Sequence, residues 1–237
     1  MAKNTDGMSS HRQKVDREWM SKLLQKHRGE ATGEPQQRDR PPTTHPALRD
    51  KVLAVGPMVE QSDLPFRLLC RRHGANLCYT PMIHARYFVQ KKSYRDRMFH
   101  FGNAAAAGRD RPLIAQLCGN NGEVLVAAAR LLAQHVDAVD VNLGCPTKVA
   151  RRGRFGAYLL ESGDYVVGMV RHLAEHVPVP VTVKVRLLPG GVEETCDLCH
   201  KLVDAGAALI AVHGRTRCQR GATTGQADWD AIRHPRP

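Results

Sequence analysis

Ala138-Val139-Asp140-Val141-Asn142-Leu143-Gly144-Cys145-Pro146 is the stretch on which the fold turns. Its first six residues make a short, mostly apolar and β-branched run, the pattern of a strand inside a sheet. The run then breaks at Gly144 and Pro146, a stiff turn with a thiol between them. A strand that leaves through Asn, Gly, Cys and Pro ends on chemistry and not on a bland loop.

Working outward, five further runs share this plan, at 52–58, 77–82, 112–118, 179–187 and 209–212. Helix-like segments separate them at 65–73, 124–135, 165–176 and 193–205, the last followed by the C-cap residue Gly206. The stretch 83–109 is long, polar and basic, with one helix expected inside it. Near-continuous apolar strands alternating with helices describe a parallel sheet covered on both faces. The runs begin at 52, 77, 112, 138, 179 and 209, intervals of 25, 35, 26, 41 and 30 residues, each the length of one βα unit.

A doubly wound sheet and a (β/α)8 barrel both fit that period, and in both the functional groups gather past the C-terminal ends of the strands. All six ends here carry polar groups or a Pro-Met pair: Gly56-Pro57-Met58, Thr80-Pro81-Met82, Gln116-Leu117-Cys118-Gly119, Asn142 to Pro146, Lys184-Val185-Arg186 and His213-Gly214-Arg215-Thr216. Six strands aimed at one ligand favour the barrel. No Gly-x-Gly-x-x-Gly follows the first run, which weakens a dinucleotide-binding sheet further.

The 237 residues carry 35 Lys+Arg against 23 Asp+Glu, a net charge of +12. Lys148, Arg151, Arg152 and Arg154 follow the fourth run; Arg86, Lys91, Lys92, Arg95 and Arg97 follow the second; Arg215, Arg217 and Arg220 follow the sixth. In a parallel barrel these segments share one rim, the electrostatic footprint of a nucleic-acid face. Arg67, Arg71 and Arg72 fall on a helix instead, so the asymmetry is incomplete. An apolar share of 42% excludes wholesale disorder, and no run of roughly 18 apolar residues offers a membrane span. Without an apolar h-region at the N-terminus, and with an odd seven cysteines, the expectation is reduced thiols inside the cell, cytoplasmic or also nuclear.

Residues 1–50 read as a disordered basic and polar extension. Within them, 15–27 offers a weaker alternative, an amphipathic helix using Val15, Trp19, Leu23 and Leu24. Cys196-Asp197-Leu198-Cys199-His200 matches a haem-attachment pattern by coincidence on an outer helix, and the dispersed histidines suggest no metal site.

Gly56-Pro57-Met58-Val59 with Ser62 to Arg67, Asp140 to Pro146, Val183-Lys184-Val185-Arg186 and His213-Gly214-Arg215-Thr216 together resemble the flavin-dependent tRNA-dihydrouridine synthases, in order and spacing from residue 52 to about 231. Arg71 to Ala75, Leu77 to Ala85, Arg152-Gly153 and Gly156-Ala157 look like the eukaryotic subfamily acting at D-loop uridines 16 and 17. The resemblance implies an FMN-binding barrel that reduces the C5–C6 bond of uridine in tRNA. NADPH or NADH would reduce the flavin, flavin N5 would deliver hydride to C6, and an acid would protonate C5.

Cys145 would be that acid, since a free thiol with a pKa of roughly 8.5 is mostly protonated at neutral pH. Lys184 would lie near flavin N1/O2, Gln116 at the ring edge, Pro57, Met58 and Val59 along its backbone-contacted face, and Asn142 beside Cys145. His213 would reach the phosphate region, and Arg152 and Arg215 are candidates for tRNA contacts. No membrane or metal partner is expected, and the full-length protein is expected to be a monomer.

A closed barrel of this kind takes about 250 residues. Residues 51–237 therefore read as an α/β, (β/α)8 TIM-barrel type truncated after about six βα units. On that reading the seventh and eighth strands and the helical tRNA-binding domain that the resemblance implies would be absent from these residues. Two alternatives stay open: a catalytically silent RNA-binding or scaffold form, and another FMN barrel oxidoreductase acting on a small molecule.

Overall fold

The computed structural model describes residues 19–29, 51–99 and 108–233. Alternating runs resolve into strands β1 (Ala54–Val55), β2 (Leu77–Tyr79), β3 (Ile83–His84), β4 (Leu113–Cys118), β5 (Ala138–Leu143), β6 (Val181–Leu187) and β7 (Leu209–Thr216). All pair in parallel, in the order β1-β2-β4-β5-β6-β7, with β3 beside the far end of β4. The helices are α1 (Trp19–Gly29), α2 (Leu64–Arg72), α3 (Ala85–Gln90), α4 (Lys92–Met98), α5 (Gly122–Leu132), α6 (Lys148–Gly153), α7 (Gly163–His176), α8 (Val192–Asp204) and α9 (Trp229–Arg233). Six strand positions separated by helices make the half-barrel of a (β/α)8 fold, as the spacing of the runs predicts.

Three details differ from the sequence reading. The 83–98 stretch holds a short strand and two short helices where one helix was expected. β2 and β3 are one strand interrupted by a bulge: Cys78 pairs with Leu113 and Ile83 with Leu117, so five steps on one side match four on the other. Pro81, which has no N–H for the ladder, sits in that bulge, and there the Gln116 N–H donates to the Thr80 hydroxyl in place of a strand carbonyl. Third, β7 extends to Thr216, so His213 to Thr216 lie within the strand and not beyond it.

The strands are also less uniformly apolar than their runs imply. Val139, Val141 and Leu143 of β5 and Val181, Val183 and Val185 of β6 pack into the core that the helices cover. The alternate residues Asp140, Asn142, Thr182, Lys184 and Arg186 face the barrel interior, the period-2 alternation of a pleated strand. One face carries packing and the other carries chemistry.

At the N-terminal end of the sheet the interior is apolar. Leu77, Tyr79, Ile114 and Ala138 form a separate cluster, against which Trp19 and Met20 of α1 pack. The Trp19 indole N–H donates to the Ala208 carbonyl at 2.9 Å. The expected disorder of residues 1–50 meets a helix here, because an aromatic side chain finds an apolar socket to fill. Residues 1–18, including Val15, and 30–50 lie outside the described residues.

Helix α2 is tied to the sheet through charge. Arg67, only 7% exposed, donates to Asp110 from Nε and Nη2 at 3.0 and 2.7 Å and to the Ser62 carbonyl at 2.7 Å. Arg71 adds a bond to the other Asp110 oxygen at 3.2 Å. These cations serve packing, which removes them from the basic surface. Among the described residues no helix is long and apolar enough to cross a membrane.

Candidate active site

Three neighbouring strands place Gln116, Asp140 and Thr182 side by side in register. Asp140 is fully buried and accepts from Gln116 Nε2 at 2.8 Å and from Thr182 Oγ1 at 2.7 Å. Burial pushes its carboxyl up to about 6, against the opposing pull of those two hydrogen bonds and of Lys184. One layer further along the strands, Asn142 stands opposite Lys184. Asn142 Nδ2 donates to Gln116 Oε1 at 2.8 Å, and its own Oδ1 accepts the Gly144 and Cys145 N–H groups at 3.1 and 2.8 Å.

Those bonds hold the Cys145 turn from its own strand, and residues of other elements hold it as well. Arg186 Nε donates to the Gly144 carbonyl at 2.7 Å. The Ala157 N–H donates to the Cys145 carbonyl at 3.1 Å. Gly156 approaches so closely that a Cβ there would lie 2.8 Å from the Cys145 oxygen, at a φ of +64° that also favours glycine. The Pro146 carbonyl accepts from Arg220 at 2.6 Å and from the Tyr158 hydroxyl at 3.2 Å. Cys145 itself stays half-buried, its sulfur 3.3 Å from the Thr147 hydroxyl, which also caps α6 by accepting the Ala150 N–H. A thiol on a turn this well braced has a defined direction.

Lys184 is a half-buried cation with no carboxylate in salt-bridge contact among the described residues; desolvation lowers its pKa, with Asp140 opposing. The residue after next on the strand, Arg186, stands opposite His213. Burial, then Arg186, Lys184 and Arg215 in turn, push the His213 imidazole down to about 4, so it is neutral at physiological pH. An interior lined by Lys184, Arg186 and the spare N–H groups of two amides is built for an electron-rich ligand.

Of the sequence-predicted residues, Asn142, Gln116, Lys184 and His213 thus share one interior face, and Cys145 follows on the turn that Asn142 holds. Pro57 and Met58 lie half-buried after β1, two strands from Gln116 in the sheet, with the Met58 N–H bonded to Ser62 at 2.9 Å; Val59 is 55% exposed. Arg152 is exposed on α6, directly after the Cys145 turn, while both the Nε and Nη2 of Arg215 donate to the Gly225 carbonyl. The basic rim is smaller than the sequence suggests. Arg217 pairs with Glu161 and lies over the Tyr158 ring at 4.8 Å, and Arg220 braces Pro146. Lys148, Arg151, Arg152 and Arg154 remain exposed. Asp140, Thr182 and Arg186 were not singled out as site residues in the sequence, although alternation within their runs marks the same face.

The half-barrel and its thiol-bearing turn define an α/β barrel enzyme site at the C-terminal ends of the strands. The sequence profile of the family described as dihydrouridine synthase (Dus) matches residues 52–236, and the chain belongs to that family. It is 43% identical over 178 residues to a Schizosaccharomyces pombe protein named tRNA-dihydrouridine(16/17) synthase, NAD(P)(+), covering 75% of this chain and 44% of the relative. A Rattus norvegicus protein named as tRNA-dihydrouridine(16/17) synthase-like is 46% identical over 76% of this chain and 40% of its own length. A human protein named as a 20a/20b synthase is 37% identical, over 71% and 52%. The chain spans less than half the length of the 16/17 relatives it matches.

Proposed function

We propose that this chain carries the catalytic barrel of a tRNA-dihydrouridine synthase, reducing uridine to 5,6-dihydrouridine at D-loop positions 16/17, with residues 51–237 as the FMN-binding unit. The observation that carries the reading is the Cys145 turn held by Asn142 and Arg186, with Asn142 standing opposite Lys184. The higher identity to the 16/17 relatives than to the 20a/20b one supports the choice of uridine.

The residues present fit FMN. A half-buried ammonium is costly unless an anion joins it, and the carboxylate closest in charge to Lys184, Asp140, is already satisfied by two donors. Lys184 would hold the electron-rich pyrimidine edge of the flavin, helped by Gln116 and Asn142. His213, being neutral, would contribute a hydrogen bond and not a charge towards the phosphate. Bound FMN supplies the hydride chemistry, with NAD(P)H as the source of electrons. Cys145 holds the proton destined for C5 of the uracil ring, and its turn aims that proton. Arg152 and its basic neighbours on α6 would meet tRNA phosphates next to the thiol.

The test uses the 237-residue chain. Purified protein should be yellow and release FMN on denaturation, and should form dihydrouridine in unmodified tRNA given NADPH. Cys145→Ala should retain flavin and lose product. A soluble chain that stays colourless with added FMN but binds tRNA would favour a silent RNA-binding form and defeat the reading.

A further inference from the structure

We propose that Asp140 is a positioning residue: it is the acceptor at the inner end of a directional hydrogen-bond chain whose outer end is fixed by the N–H groups of the Cys145 turn. The chain runs from Asp140 through Gln116 and Asn142 to the N–H groups of Gly144 and Cys145, with links of 2.8, 2.8, 3.1 and 2.8 Å. A carboxylate only accepts, whereas a primary amide accepts at one end and donates at the other. With Asp140 at the inner end and two backbone N–H groups at the outer end, only one orientation of both amides pairs every group. Reversing either one sets donor against donor at the turn or oxygen against carboxylate at the root.

The direction has a consequence for the ligand. The oxygens of both amides are occupied within the chain, and each amide nitrogen keeps a second hydrogen. Together with the Lys184 ammonium, the site offers donors to whatever enters it, and so selects the carbonyl edge of a pyrimidine ring. Thr182 closes the inner end: its hydroxyl donates to the second Asp140 oxygen at 2.7 Å. A hydroxyl can reverse its role, whereas the backbone N–H groups at the turn cannot. Asp140→Asn alone is therefore tolerated, by turning its NH₂ towards Thr182.

This inference rests on the proposed function only for the ligand; the chain itself is tested without one. Asn142→Asp places a second carboxylate at the outer end, and Gln116 can donate to only one of the two. Its thermal midpoint should fall by roughly 10 °C. Adding Asp140→Asn moves the carboxylate instead of adding one and lets Gln116 reverse, so the midpoint should return to within about 3 °C of wild type. In a Gln116→Met background, which cuts the chain, that rescue should be mostly lost. The double variant, with a carboxylate where a donor stood, should hold FMN at least about tenfold more weakly despite its recovered fold. Losses that simply add in the double variant, or a rescue undiminished with Gln116→Met, would overturn the directional chain. Flavin held as tightly as in wild type would overturn the donor-lined edge. If wild type itself holds no flavin, the flavin reading fails while the thermal cycle still decides the chain.

Discussion

The Arg186 guanidinium bridges its own strand to the carbonyl of Gly144, with Nε donating at 2.7 Å, and reaches the Thr216 carbonyl from Nη1 at 2.9 Å. One side chain thereby fastens the turn that carries Cys145 to the end of β7. The planar fork can serve both carbonyls at once, which an ammonium cannot match. Arg186→Leu should cost about 2 kcal/mol, the range for hydrogen bonds from a charged donor less the screening at a half-exposed site. Hydrogen exchange at residues 143–146 should quicken by about tenfold, with Arg186→Lys intermediate. Unchanged exchange in the leucine variant would mean that the turn is held by Asn142 and Gly156 alone.

Asp110 has two arginines from α2 on its two oxygens and is almost fully buried. Asp110→Ala leaves Arg67 as a buried charge without its partner, a change that costs about 3–5 kcal/mol in comparable pairs. Urea denaturation should register most of that loss. Arg67→Met with Asp110→Leu, which removes the charges together, should lose much less than Asp110→Ala. A double variant no better than the alanine single would show that the ion pair contributes net stability.

How far the sequence carried this reading depended on whether a signal was local. The six strands and the Asn142–Cys145 turn were legible because the alternation and the Gly-Cys-Pro break lie within a few residues. The interior polarity was half visible: Lys184 stood out as a cation in a run of valines, whereas Asp140 passed as one polar residue in a buried strand. Its role requires Gln116 and Thr182 beside it, 24 and 42 residues away. Arg67 and Arg217 counted as surface charge because their acids, Asp110 and Glu161, lie far along the chain.

Trp19 is the furthest such case, since its indole partner Ala208 is 189 residues away. Trp19→Ala should remove an aromatic from the Leu77, Tyr79, Ile114 and Ala138 cluster together with one hydrogen bond. The expected loss is about 2 kcal/mol, below that of a fully buried tryptophan because Trp19 is part exposed. The other tryptophan, Trp229, is 66% exposed, so the blue side of the emission spectrum should vanish with Trp19. A variant with wild-type stability and emission would show that α1 leaves its socket in solution.

The two titrating groups of the interior should act in opposite senses between pH 4 and 6.5. Asp140 is raised from 3.8 to about 6 in the folded chain, so the folded state binds more protons in that window and stability falls as pH rises. At neutral pH the cost amounts to about 3 kcal/mol. His213 is lowered from 6.5 to about 4, so the unfolded state binds more protons there and stability rises with pH. Its share is smaller than the shift implies, because the ring is part exposed and screened. Relative to wild type, Asp140→Asn should therefore gain stability as pH climbs from 4 to 6.5, and His213→Gln should lose it. Urea midpoints at pH 4, 5 and 6.5 read both slopes. If the two variants track wild type in parallel across that range, neither group titrates in the folded barrel as its surroundings dictate.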